Sequence, residues 1–172
     1  MSKRSRPEAG LAQPLLLLLM AAAAGFIVIA GAHLPAWVAS HFDAAGRPNG
    51  FMSKQAYITV MLAIVIVTPL MIGWLPALTL RQPNTRINLP NRDYWLAPER
   101  RAATIEILLG RMRLFACLLL AFLCYAHALV VRANQSAPPR LSSSALELGV
   151  VVFLVAALGW VLNLMRRFRR TD

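Results

Sequence analysis

Four long, apolar, charge-free stretches constrain this chain more than any other feature. The first is uncharged over residues 9–32, with its apolar body starting at Pro14. The second covers 55–80, the third 114–131 between Arg113 and Arg132, and the fourth 148–165 between Glu147 and Arg166. Roughly 20 apolar helical residues cross a bilayer core about 30 Å thick. The third and fourth stretches rise about 27 Å each, enough when flanking residues sit at the interfaces. Hydrophobic residues make up 58% of the chain and charged residues 15%, against about 45–50% and about 25% in soluble domains. That balance excludes a single water-soluble core and also intrinsic disorder. Two cysteines are too few for a disulfide-stapled miniprotein. The expected fold class is all-α: a polytopic membrane protein with four transmembrane helices.

The net charge of +11 is distributed unevenly. Lys3, Arg4 and Arg6 precede the first span. Arg81, Arg86, Arg92, Arg100, Arg101, Arg111 and Arg113 lie between the second and third. Arg166, Arg167, Arg169 and Arg170 follow the fourth. Only Arg47, Lys54, Arg132 and Arg140 fall on the other side. Basic loops stay inside, so both termini and the middle segment are expected in the cytoplasm. The basic ends suit anionic headgroups, and this reading needs no nucleic acid partner. The basic start, the apolar run and Ala30-Gly31-Ala32 also fit a cleavable leader. The run exceeds the usual length of about 7–15 residues, which favours a retained helix.

Along the chain this divides into a basic tail (1–13), a region of two helices with an outer loop at 33–55 and a cytoplasmic segment at 81–101 (14–101), an amphipathic lead-in with helices three and four (102–165), and a second basic tail (166–172). Trp37 and Tyr57 at the outer ends, and Trp74 and Trp160 at the inner ends, are placed as interfacial aromatics. Pro69 and Pro76 should bend span two. Gly149, Ala156, Gly159 and Asn163 share a stripe on span four, as do Ala21 and Gly25 on span one. Small residues let helices approach closely in lipid, so both stripes are expected to face the bundle or a second copy.

The outer loop has turn formers in its second half: Asp43, Gly46, Pro48 and Gly50, the glycines allowing positive φ. It is expected to be a compact ordered loop, with His41 holding backbone carbonyls. Leu34-Pro35, Val38, His41-Phe42-Asp43, Gly46 and Arg47-Pro48-Asn49-Gly50 resemble the signature of the domain-of-unknown-function 1648 family, bacterial membrane proteins related to SdpI, a toxin-immunity and signalling protein. Asn88-Leu89-Pro90-Asn91-Arg92-Asp93-Tyr94-Trp95-Leu96-Ala97-Pro98-Glu99-Arg100-Arg101 is similar to the segment after the second helix in many members. The resemblance covers about residues 14–101. Members often carry Pro two residues before the His, where this chain has Ala39. The carboxyl-terminal half is shorter here than in SdpI-like proteins.

Chemistry is sparse. His33, His41 and Asp43 offer zinc-type donors, but their spacing matches no compact site. Cys117, Cys124 and His127 share one face of span three, where cysteines usually pack as small apolar residues. No charged residue is expected deep within a span. No nucleophile–base pair, phosphate loop or Cys-x-x-Cys occurs. No enzyme activity, metal or cofactor is therefore expected. Asn91, Asp93, Tyr94, Trp95, Pro98, Glu99, Arg100 and Arg101 form the richest polar cluster, read as a structural lock on spans two and three or as a dock for a cytoplasmic protein. Pro98 and Glu99 suit a helix start that runs through Ile105, Leu108, Leu109 and Met112 into span three. The functional expectation is a non-enzymatic sensor or immunity-type protein. His41, Phe42, Asp43, Gly46, Pro48 and Gly50 would meet an extracytoplasmic peptide or headgroup. The alternative is an accessory subunit of an envelope complex, or an oligomer, packed through span four. A small carrier or membrane enzyme is a third, weaker reading.

Overall fold

The computed structural model describes residues 6–82 and 84–171. Lys3 and Arg4 lie outside the described residues. The elements run α1 (Arg6–Gly31), β1 (Trp37–Phe42), β2 (Pro48–Ser53), α2 (Lys54–Gly73), α3 (Leu75–Leu80), α4 (Arg92–Trp95), α5 (Pro98–Ala133) and α6 (Ser143–Arg169). Four helical segments are long and apolar enough to cross a membrane, so the architecture is that of a multi-pass membrane protein in contact with lipid. Helix reaches into both expected tails, since α1 starts at Arg6 and α6 ends at Arg169.

Three helices, α1, α2 and α5, surround the main core. Leu16, Met20, Ala23 and Ile27 of α1 meet Val65 of α2 and Ala116 and Leu120 of α5. The α1 residues recur every three or four positions, which keeps them on one face. Leu11, Leu18 and Ile29 on the other faces are exposed, as lipid-facing side chains are. In hydrocarbon such contacts gain little from solvent release, so close packing holds the helices. Of the two faces expected for the small pair, the bundle is not the one: Ala21 is exposed, and a side chain at Gly25 would meet open space. The larger Leu16, Met20 and Ile27 set the buried face instead.

Proline explains the division of span two. Pro76 has no N–H to continue the α2 ladder, and its ring crowds the carbonyl four residues back. The helix ends at Gly73 and restarts as α3 with Pro76 in its first turn. Pro69 is accommodated inside α2. Ser53 starts α2, its hydroxyl accepting from the Ala56 N–H at 3.2 Å, and Ser142 starts α6 in the same way through Ala145.

The central member is α5, 36 residues long and so about 54 Å. It overshoots a bilayer core of about 30 Å. Helix α6 packs along its outer side through Phe153 on Phe115 and Phe122, and Trp160 on Phe115. These rings set the buried face of α6 and split the expected small-residue stripe. Gly149 lies against the Tyr125 ring and Ala156 is half-buried. Gly159 and Asn163 are exposed and point away from the bundle. At about 100° per residue both fall well to one side of the arc that holds Phe153 and Trp160.

Candidate functional site

The outer loop is a β-hairpin. Trp37, Val38 and Phe42 on one side and Phe51 and Met52 on the other are residues that fit a pleated surface, and they flank a five-residue turn. Sequence reading registered the turn formers and missed those flanking residues. The strands are antiparallel, pairing Trp37 with Ser53, Ala39 with Phe51 and Phe42 with Pro48, with irregular register at His41. In the turn, Asp43 accepts the Arg47 N–H through Oδ1 at 2.8 Å and the Arg47 Nε–H through Oδ2 at 3.1 Å. Burial works against the carboxylate, but the Arg47 backbone bond outweighs it and the guanidinium adds to that bond, so the Asp43 pKa lies below its ordinary value. Gly46 has φ +73°, a conformation in which glycine avoids strain.

Two expectations about this hairpin are corrected. Gly50 does not supply positive φ. It leaves room for His41, whose ring and Cβ would lie 3.1 Å from a side chain there. Nor does His41 hold a backbone carbonyl, since its Nδ1 meets Ser40 Oγ at 3.0 Å and the ring is exposed. His41, Phe51 and Trp37 face outward, the last at 70% exposure. Phe42, Asp43 and Pro48 are half-buried, and Gly46 is buried.

The hairpin is braced from four directions. Asn134 at the end of α5 bonds both backbone groups of Ala39. The Leu141 N–H donates to Gly46 O at 3.0 Å, and Ser143 Oγ donates to Ala44 O at 2.9 Å. Lys54 closes the base through its N–H on Ala36 O and its Nζ on Ala32 O. Leu34, Val38, Tyr57 and Val131 form an apolar seat beneath. One edge of the two-stranded sheet is therefore covered through Asn134, while β2 has no strand on its outer side among the described residues.

The opposite end of the bundle holds the second predicted cluster, and its centre is a residue that sequence reading passed over. Phe168 is fully buried among Ile87, Ile105, Leu108 and Leu109. Trp95 crosses its ring edge-on at 5.2 Å and donates Nε1–H to its carbonyl at 2.9 Å. Asn91, in the left-handed region at φ 49°, donates Nδ2–H to the carbonyls of Phe168 and Arg169. Thr104 donates to Trp95 O at 2.7 Å, and Arg101 to Gln82 O at 2.7 Å. Arg100 lies over the Tyr94 ring at 4.1 Å and pairs with Glu99. Pro98 opens α5, and Asp93 is exposed. The cluster is a clamp that holds the end of α6 as well as the start of α5. Ile105, Leu108 and Leu109 are buried in it and do not lie on a lipid surface. The only sequence signal for the part of the clamp that α6 supplies was a lone Phe among four arginines.

Inside the spans, Tyr57 and His127 share a hydrogen bond of 3.0 Å and stack, with Phe26 edge-on to the imidazole. Tyr57 is thus a core residue and not an interfacial aromatic. His127 is fully buried, with Nε2 unpartnered. Arg113, expected to mark the edge of span three, is buried between helices with its Nε unpartnered. Trp160 Nε1 donates to Arg111 O at 3.0 Å, joining α6 to α5. Cys117 and Cys124 line an apolar groove of about 470 Å³ between α1 and α5. Among the described residues no three metal-type side chains gather.

No curated protein and no solved structure matches the chain. A family model does, over residues 18–67. That interval runs from within α1 through the hairpin into α2 and contains every outer-loop residue from His41 to Gly50, but it ends before the clamp. The stretch that builds and seats the hairpin is a match to the family described as Domain of unknown function (DUF1648).

Proposed function

We propose that this multi-pass membrane protein is a non-enzymatic sensor or immunity-type protein of the inner membrane. Its termini and the clamp face the cytoplasm, and the hairpin is its recognition element for an extracytoplasmic peptide. The observation that carries the reading is the unpaired outer edge of β2, next to exposed Phe51 and Trp37, on a hairpin tied to the bundle. An unpaired strand edge offers main-chain bonds to an extended chain, and flanking side chains select it. The likeness to SdpI motivates the immunity role, and the excess of arginine at the clamp end supports the orientation.

The test is photo-crosslinking in native membranes with probes at Phe51 and at Tyr94. A peptide captured at Phe51, and lost in His41→Ala with normal assembly, supports recognition by the hairpin. Capture at Tyr94 alone, or at neither position, removes it. The second reading is an accessory subunit or oligomer. Gly159 and Asn163, exposed on the outer face of α6, favour it, because an Asn in lipid gains from a partner across a helix contact.

A further inference from the structure

Arg113 is the one buried arginine of the described residues, at 6% exposure. It lies on α5 against α2, where a side chain added at Gly73 would come within 3.4 Å of its Cγ and 3.0 Å of Leu16. Residue 16 belongs to the apolar body of α1, and Gly73 lies two turns inside the end of α3. The charge is therefore held between three of the helices long and apolar enough to cross a membrane. Trp74 lies alongside, 5.8 Å from guanidinium carbon to ring centroid, within range for a cation–π contact. That contact supplies no hydrogen-bond acceptor. The five N–H donors lie in the guanidinium plane and call for acceptors. Among the described residues none is supplied: Arg113 makes no hydrogen bond or ion pair, and its Nε is buried and unpartnered.

The acids nearby are engaged elsewhere. Glu106 pairs with Arg81, Glu99 with Arg100, and Asp43 with Arg47 at the far end. Asp93 is exposed on α4. A buried cation without a counter-charge is costly, and intramembrane arginines mark functional sites for that reason. Side chains on a helix lean toward its amino terminus, so Arg113 leans toward the clamp end, where Arg81, Arg86, Arg92, Arg100, Arg101, Arg166, Arg167, Arg169 and Arg170 gather. Their combined field concentrates anions there.

We infer that Arg113, backed by Trp74 and Gly73, is a binding site for one phosphate group reached from the clamp-end surface, as in the headgroup of an anionic phospholipid. The guanidinium geometry suits phosphate oxygens through paired N–H donors. The site is separate from the hairpin and does not depend on the recognition reading.

The test uses the full chain in detergent, and native mass spectrometry during graded delipidation with phosphatidylglycerol and phosphatidylcholine. The wild type should keep one phosphatidylglycerol through steps that strip the rest. Arg113→Met should lose that retained lipid, with preference falling at least about tenfold. Arg169→Ala with Arg170→Ala should remove loosely held lipid only. A second arm adds inorganic phosphate and follows thermal unfolding. A rise in Tm for the wild type that Arg113→Met lacks, without lipid retention, assigns the site to a soluble phosphate. Arg113→Lys and Trp74→Leu keep the test open if Arg113→Met fails to fold, and either should weaken retention. Equal lipid retention and equal phosphate response in the wild type and these variants would overturn the site.

Discussion

The side-chain amide of Asn134 bonds both backbone groups of Ala39, ninety-five residues away. Its Oδ1 accepts from the Ala39 N–H at 2.8 Å and its Nδ2 donates to the Ala39 carbonyl at 3.0 Å. One side chain thus does for β1 what a neighbouring strand would do. It also gives a physical meaning to a residue other than proline at position 39, because proline has no N–H to donate. Asn134→Leu leaves both groups unsatisfied and should cost about 1–3 kcal/mol. Hydrogen exchange should quicken at residues 38–41 while α1 and α2 keep their protection. Ala39→Pro should produce the same local pattern through the donor alone. Unchanged exchange after Asn134→Leu would show that the brace is not what holds the strand.

Gly46 meets two constraints at once. Its φ is +73°, and a side chain there would run into the Leu141 carbonyl. Gly46→Ala should therefore lose about 1–3 kcal/mol and separate the hairpin turn from the segment before α6. Trypsin should then cut faster at Arg140, which is exposed. Cutting at the wild-type rate would count against the contact.

Asp43 makes the turn sensitive to acid. Its pKa is held below the ordinary 3.8, chiefly by the Arg47 backbone N–H. A group whose folded pKa is depressed contributes order that is complete above the unfolded value and lost as pH falls through the folded one. The Arg47 amide should therefore keep its exchange protection and shift down to about pH 4, and lose them below that. Asp43→Asn should flatten this profile. A wild-type amide that is insensitive to acid would exclude the bond as the source of turn order.

Tyr57 and His127 join α2 to α5 through a bond in the apolar core. Polar contacts between membrane helices are worth about 0.5–2 kcal/mol, so Tyr57→Phe should lower stability by that amount in a denaturant titration. Adding His127→Leu to Tyr57→Phe should recover part of the loss, because no orphaned ring nitrogen is left buried. Additive losses in the double variant would mean that the two residues act separately.

Two glycines on α6 should behave oppositely. Gly149 lies against the Tyr125 ring, while Gly159 faces open space. Gly149→Leu should disrupt the packing of α6 on α5 and lower thermal stability. Gly159→Leu should leave the single chain folded and abolish only an association through the outer face of α6. Normal stability in Gly149→Leu would contradict the packing, and unchanged oligomer size in Gly159→Leu would weaken the accessory-subunit reading.

The four spans were legible because each apolar run is long and free of charge, span three ending at Arg132 and span four at Arg166. The sequence also foretold the start of α5 at Pro98 and its run through Leu109. It left open which face each small residue takes. On α6, Phe153 and Trp160 meet α5, and Gly159 is left to the outer face. Long-range pairs such as Asn134 with Ala39, Trp95 with Phe168 and Tyr57 with His127 leave no periodic trace. Each depends on two residues far apart in sequence that meet only once the helices are packed. The hairpin was half legible: Asp43 to Gly50 read as turn chemistry, while a short strand beside a membrane helix is hidden by the apolar background.

Between Thr104, which grips the clamp at Trp95, and Asn134, which grips the hairpin at Ala39, α5 runs unbroken for about 45 Å. The two ends of the bundle are therefore parts of a single stiff shaft. A tilt or turn of the hairpin that carries Asn134 with it must move Thr104 as well, and the clamp around Phe168 is where that displacement would be felt.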